Sequence, residues 1–191
     1  AFLQKNKEED WLEQAKFIQD NLTDEFIASA FTTMPKEVQD EESKKIQKNL
    51  KSRRDNLITY AKEYYKLLAM RVILVGTDKK EEFIIKKLNK NQIEITQYRN
   101  KKDGEMQLIN KRLFDAKNTN EIWIYGLDDD DKFIVEGKVR SKIKLRIIGG
   151  QNNDEYRVED GRNVKLYDYK SKKNEFDIDK RTTKRLSDDY E

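Results

Sequence analysis

The sequence predicts an α+β protein, with helices in the N-terminal third and strands after it. Three observations predict this. Before Met70, apolar residues recur at steps of three and four, the spacing of one helix face. After Met70 they alternate with polar residues, the period of a half-buried strand. All 7 glycines also lie after Met70, where turns need them.

Trp11, Ala15, Ile18 and Leu22 form one apolar stripe on a first helix. Thr23 then reads as an N-cap, with Asp24 and Glu25 in the first turn of a second helix. Negative charge suits that end of the dipole. Phe26, Ile27, Ala30 and Phe31 make this helix amphipathic, and Pro35 ends it by disfavouring helical geometry at Met34. A third, longer helix begins near Asp40, with a seam of Ile46, Leu50, Leu57, Tyr60, Tyr64 and Leu67. Arg53 falls on that seam. It reads as a structural arginine, its stem on apolar surface and its head paired with a carboxylate of the first or second helix.

The β part opens as a meander. Val72-Leu74, Phe83-Ile85, Ile93-Ile95 and Met106-Leu108 mark short strands. Turns at 76–78, 89–91 and 102–104 separate them. From residue 121 a repeat appears at an offset of 23. Ile122 matches Leu145, Gly126 matches Gly149, Asp131 matches Asp154, Phe133 matches Tyr156 and Val135 matches Val158. A third, weaker copy runs through Val164, Leu166, Asp168, Asn174, Phe176 and Ile178. Each unit reads strand, polar turn, strand, and must stack on its neighbours to bury a face. A β-solenoid or roll and an antiparallel meander or sandwich both fit. The predicted organisation is a bundle of about three helices over 1–70, packed on a β region over 71–180, then a charged linker over 181–191.

Composition narrows the chemistry. Charged residues make up 40% of the chain and the hydrophobic class 36%, so the cores are thin and the surface highly solvated. The net charge is only +3, with acids and bases intermixed, which argues against a nucleic-acid partner. There is no Cys and no His. Thiol nucleophiles, imidazole bases and Cys/His zinc sites are therefore excluded. No apolar run approaches the ~18 residues of a membrane helix, so this segment does not insert in a membrane. The chain begins Ala-Phe-Leu and ends in LSDDYE; we read it as a piece of a longer protein.

The repeat carries the candidate site. Gly126 and Gly149 suit a turn with positive φ, and Asn and Asp cap their own backbone there. The acids also suggest a cation. Asp128, Asp129, Asp131, Asn152 and Asp154 are the candidate ligands, because calcium takes six to eight oxygens from such groups. GGQNNDEYR resembles one copy of the nonapeptide of RTX calcium-binding rolls. Gly149, Gly150, Asp154 and Tyr156 match its pattern, and Asn152 replaces a glycine. In GLDDDDKFI, Leu127 and Asp129 replace glycines.

Five stretches in order carry a broader resemblance: LTDEFIASAFTTMPKEV, KNLKSRRDNLITYAKEYYKLL, VGTDKKEEF, TNEIWIYGLDDDDKF and KLRIIGGQNNDEY. Together, over roughly residues 10–168, they resemble the middle region of large Bacteroidetes outer-membrane proteins. Those proteins join a calcineurin-like metallophosphoesterase domain to a C-terminal surface-antigen (BamA/TamA-like) barrel. The phosphoesterase motifs, built on Asp, His and Asn, are absent here, so no catalytic residue carries over. The resemblance implies a non-catalytic spacer or docking module in the periplasm or at the cell surface, held to the outer membrane through its parent protein. Its partners would be the adjoining domains of that polypeptide and other envelope proteins. A calcium-binding β-roll-like module, and a fragment of a metallophosphoesterase-type enzyme whose active site lies outside this chain, are the alternatives.

Overall fold

Short polar caps and one proline set the helix ends. Thr23 Oγ1 accepts from Phe26 N at 3.1 Å, and Asp40 Oδ1 accepts from Ser43 N at 3.0 Å. These are the predicted caps, each satisfying a donor that the first helical turn leaves free. The computed structural model describes residues 7–101 and 104–189. Lys102 and Asp103 of the predicted turn at 102–104, and Tyr190 and Glu191 of the tail, lie outside them. The chain divides into two units, residues 2–68 and 69–191.

Among the described residues there are four α-helices: α1 (Glu8–Asn21), α2 (Asp24–Thr32), α3 (Glu41–Asp55) and α4 (Leu57–Met70). The long third helix of the prediction is thus two. The break falls at Asn56, whose Nδ2 donates to Ser52 O at 2.8 Å. The same carbonyl takes Asn56 N at 3.2 Å. An asparagine that competes for backbone groups in this way interrupts a helix.

The apolar contribution of this unit is small. Ala15, Ile27 and Phe31 are buried, and Trp11 meets Tyr64 edge-on at a centroid distance of 5.7 Å. Ile18, Ile46, Tyr60, Tyr64 and Leu67, all assigned to seams, stay largely exposed. Arg53 is exposed too. The predicted arginine role belongs to its neighbour: Arg54 Nη1 donates to Asp24 Oδ1 at 2.7 Å and to Leu22 O at 2.9 Å. The inward face of α3 runs through Ser43, Gln47, Leu50 and Arg54, which leaves Ile46 and Arg53 outside it.

The second unit holds two sheets. One is β1 (Arg71–Val75), β5 (Glu121–Leu127), β7 (Lys144–Gly150), β9 (Val164–Asp168) and β11 (Thr183–Leu186), in that order and all parallel. The other runs β10 (Glu175–Ile178), β8 (Glu155–Val158), β6 (Lys132–Glu136), β2 (Glu81–Lys87), β3 (Gln92–Asn100) and β4 (Met106–Asp115). Its first four strands are parallel, and β2, β3 and β4 are antiparallel.

The chain therefore alternates between the sheets, and each strand pairs with its equivalent in the next layer. Consecutive repeat strands do not pair as hairpins, which removes the antiparallel reading of the repeat. The offset of 23 is the register itself: Ile122 lies opposite Leu145, and Phe133 opposite Tyr156. The first predicted meander is split. β1 and β2 form a further layer of the stack, with Val72 opposite Ile122 and Phe83 opposite Phe133. Only β2–β4 is a meander. The predicted linker over 181–191 contains β11, whose polar residues are held by parallel pairing with β9. It has no hydrophobic alternation of its own, so periodicity missed it.

Alternating residues of both sheets fill one core. Val72, Ile122, Leu145 and Val164 align from one sheet, and Ile85, Val135 and Val158 from the other. Four rings stack through the layers. The steps Phe83–Phe133, Phe133–Tyr156 and Tyr156–Phe176 measure 5.3, 5.2 and 5.0 Å. Each buried ring contributes about 2–3 kcal/mol of transfer free energy, with a further term from ring contact. No helix among the described residues is long and apolar enough to cross a membrane.

Candidate functional site: a ladder of buried acids

The turn between the two strands of each layer places one polar side chain at the start of the second strand. In register these are Glu81, Asp131, Asp154 and Asn174. Three identical bonds link them. Asp131 Oδ1 accepts from Glu81 N, Asp154 Oδ1 from Asp131 N, and Asn174 Oδ1 from Asp154 N, each at 2.8 Å. Every rung thus fixes the layer before it through a backbone N–H that would otherwise be orphaned at the strand start.

Facing this column is a column of small residues: Gly76, Gly126, Gly149 and then Asp168, one step past the pairs Val75–Tyr125, Tyr125–Ile148 and Ile148–Tyr167. Gly76 precedes Glu81, Gly126 precedes Asp131, and Gly149 precedes Asp154, always by five residues. A Cβ on Gly76 would lie 2.6 Å from Glu81 Oε2, and one on Gly126 or Gly149 would strike Asp131 or Asp154 Oδ2. The glycines make room for the acids. The expectation of positive φ at Gly126 and Gly149 is corrected: the left-handed positions are the next ones, Leu127 at φ 90° and Gly150 at φ 154°. Leucine pays a Cβ clash there that glycine does not. Leu127→Gly should therefore stabilise the β unit by about 0.5–1 kcal/mol, read as a higher urea midpoint with unchanged slope. A lower midpoint would mean that the side chain of Leu127, 41% exposed, matters more than its backbone.

The inner ladder is buried. Asp131 and Asp154 are each 2% exposed, and their Oδ2 atoms have no hydrogen-bond partner. Burial pushes Asp131 up to about 8, with Asp154, Glu81 and Asp129 adding repulsion against the bonds that lower it. Burial likewise pushes Asp154 up to about 7, with repulsion from Asp168 and Asp130. Both carboxyls therefore hold protons at mildly acid pH. Asp168 is raised for the same reason. It accepts the Tyr156 hydroxyl at 2.6 Å and Tyr169 N at 2.7 Å, and burial beside these acids raises the Tyr156 phenol as well.

The remaining predicted ligands go elsewhere. Asp128 and Asp129 are exposed. Asp128 Oδ1 accepts from Asn152 Nδ2 at 2.8 Å, and Asp129 Oδ1 from Asp130 N at 2.9 Å. An outer ladder runs from Asp130 Oδ1 to Asn153 N at 3.0 Å and from Asn153 Oδ1 to Lys173 N at 2.9 Å. The five predicted ligands are split between a buried pair facing backbone N–H groups and a solvent-facing set. Among the described residues, no group of three or more acidic side chains is arranged to hold a metal ion.

Glu81, Asn174, Asp168 and Tyr156 belong to the ladder or its end, and none of them is among the candidate ligands that the sequence offers. The signal for Glu81 was present: glycine, four residues, acid, one residue, aromatic recurs in GTDKKEEF, GLDDDDKF and GGQNNDEY. The opposite turn has a different solution. Lys87 is buried and donates from Nζ to Asp160 O at 2.6 Å. The Arg162 guanidinium beside Asp160 holds that carboxyl down at about 2.

No protein-family model, curated protein or solved structure matches this chain.

Proposed function

We propose that this chain is a non-catalytic spacer or docking module of a larger cell-envelope protein, its β unit a roll-like solenoid stapled through its turns. One observation carries the reading: along the ladder, one side-chain oxygen each of Asp131, Asp154 and Asn174 accepts from a backbone N–H of the layer before it. Carboxylates committed in this way stiffen a stack and are poor general bases, since they cannot reach a substrate. A stack built on nearest-layer contacts transmits position along its axis, which suits a spacer. The sequence resemblance set out above supplies the envelope setting.

The test is limited proteolysis and an activity screen on the full chain. A resistant fragment should span the β unit. The chain should not hydrolyse phosphate mono- or diesters with manganese or magnesium present. Hydrolysis that disappears in Asp131→Ala would overturn the reading and restore an enzymatic role. Cleavage within the β unit at the earliest times would remove the rigid-spacer role.

A further inference from the structure

We propose that the outer face of the five-stranded sheet binds an anionic polysaccharide carrying carboxylates. This inference stands apart from the envelope reading, because it rests only on what that face presents.

The two outer faces of the β unit differ in charge. Outward positions of β1, β5, β7, β9 and β11 alternate with the buried ones. They carry five cations, Arg71, Lys144, Arg146, Lys165 and Arg185, and one acid, Glu121. Glu121 already contacts both Arg146 and Arg71. The outward positions of β2, β6, β8 and β10 carry five acids and three cations. Those cations are paired within their own sheet, Lys86 with Glu136 at 3.4 Å, Lys132 with Glu155 at 3.1 Å and Arg157 with Glu155 at 2.7 Å. The outer face of the five-stranded sheet thus carries an excess of cations. Such a surface attracts polyanions over a distance.

The cationic face also carries rings. Arg71 and Arg146 lie 5.4 and 5.2 Å from the Trp123 ring centroid, which orients both guanidinium groups. Beyond them opens a groove of about 590 Å³, lined by Tyr125, Leu127, Ile148, Tyr167, Tyr169 and Arg185. Gln151, Ser187 and Asp189 also line it and offer hydrogen-bond partners for hydroxyl groups. Sugar rings would pack on tyrosine and hydroxyls would meet Gln151 and Ser187, while carboxylates would meet Arg185 at the groove and Lys165 beside it, two residues before Tyr167 on β9. A nucleic acid fits less well: arginine covers the Trp123 ring, which leaves it closed to base stacking. A membrane fits less well too, because the tyrosines lie half-buried in the sheet and do not project as an inserting face must.

Affinity electrophoresis of the full chain through gels containing polygalacturonate tests this, with neutral dextran, duplex DNA and phosphatidylglycerol vesicles as comparisons. Polygalacturonate should retard the chain and dextran should not, with retardation fading as salt rises. Lys165→Gln with Arg185→Gln should weaken retention about fivefold or more, and Tyr125→Ala about threefold. Lys86→Gln with Arg157→Gln, on the opposite sheet, should leave it unchanged; far-UV spectra confirm folding of each variant. Absence of retardation overturns the proposal. So does equal weakening by both charge pairs, or binding to DNA or vesicles as strong as to polygalacturonate and indifferent to Tyr125→Ala.

Discussion

Replacing Gly149 with alanine should lower the unfolding free energy of the β unit by about 3 kcal/mol. The backbone at Gly149 is not in the left-handed region, so the effect is one of space alone. An added Cβ would meet the Tyr156 hydroxyl and Asp154 Oδ2, with Asp168 Oδ2 at 2.7 Å. None of these can swing aside. Tyr156 is locked in the ring stack between Phe133 and Phe176, and Asp154 is held by Asp131 N. Gly126→Ala should behave alike, meeting Asp131 Oδ2, the Gly149 carbonyl at 2.6 Å and Phe133 Cζ at 3.2 Å. Gly104 is the contrast: its φ is +85° but nothing lies within 4 Å, so alanine there costs about 1 kcal/mol. Urea unfolding followed by tryptophan fluorescence reads all three. If Gly149→Ala proves no worse than Gly104→Ala, the close packing of glycine against the acids is wrong.

The same geometry explains what the sequence made legible. The repeat from residue 121 was visible because identical layers impose identical demands: an aliphatic pair, a glycine, an acid, then an aromatic. The layer formed by β1 and β2 obeys the same demands, yet its sequence reads as part of a meander. The 50-residue step from Phe83 to Phe133 hides it, because the β3–β4 hairpin intervenes. The sequence presents the acids as candidate cation ligands, and the structure places Asp131 and Asp154 against backbone N–H groups. A run of four aspartates looks like one ligand cluster. Strand alternation sends Asp131 into the core and leaves Asp128 and Asp129 in water. That division depends on where β6 starts, and composition alone does not fix it. In the helical unit, Arg53 and Arg54 are adjacent and chemically identical. Only the phase of α3 decides which one reaches Asp24.

Buried acids with raised pKa values invert the usual acid sensitivity of a protein. The ordinary Asp value is 3.8, and the folded values for Asp131 and Asp154 are about 8 and about 7. Between those limits the folded chain keeps protons that the unfolded chain releases, so stability falls as pH rises. The contribution of these two groups is fully present below their unfolded pKa and is lost by about pH 8, at up to about 1.4 kcal/mol per pH unit for each proton. Asp160, held at about 2 by Arg162, acts in the opposite sense and gains its contribution as pH rises from about 2 toward its ordinary value. Maximum stability of the β unit should therefore fall near pH 4–5, with a decline toward pH 8.

Asp131→Asn combined with Asp154→Asn should flatten that decline. Asn174 already shows that an amide serves as a rung: its Oδ1 accepts Asp154 N, while its Nδ2 donates to Tyr169 O at 3.1 Å. Leu127 O occupies the corresponding place two layers away, beside Asp131, where it accepts Gln151 N at 3.1 Å and has a second lone pair. At pH 9 the double variant should exceed the parent in stability by at least about 2 kcal/mol, and the two should converge at pH 4. Urea midpoints across pH 4–9, with and without millimolar calcium, make the comparison. A double variant less stable than its parent at pH 9, or a parent rescued by calcium while the variant is not, would mean that the rungs work as carboxylates around a cation and that the neutral ladder is wrong.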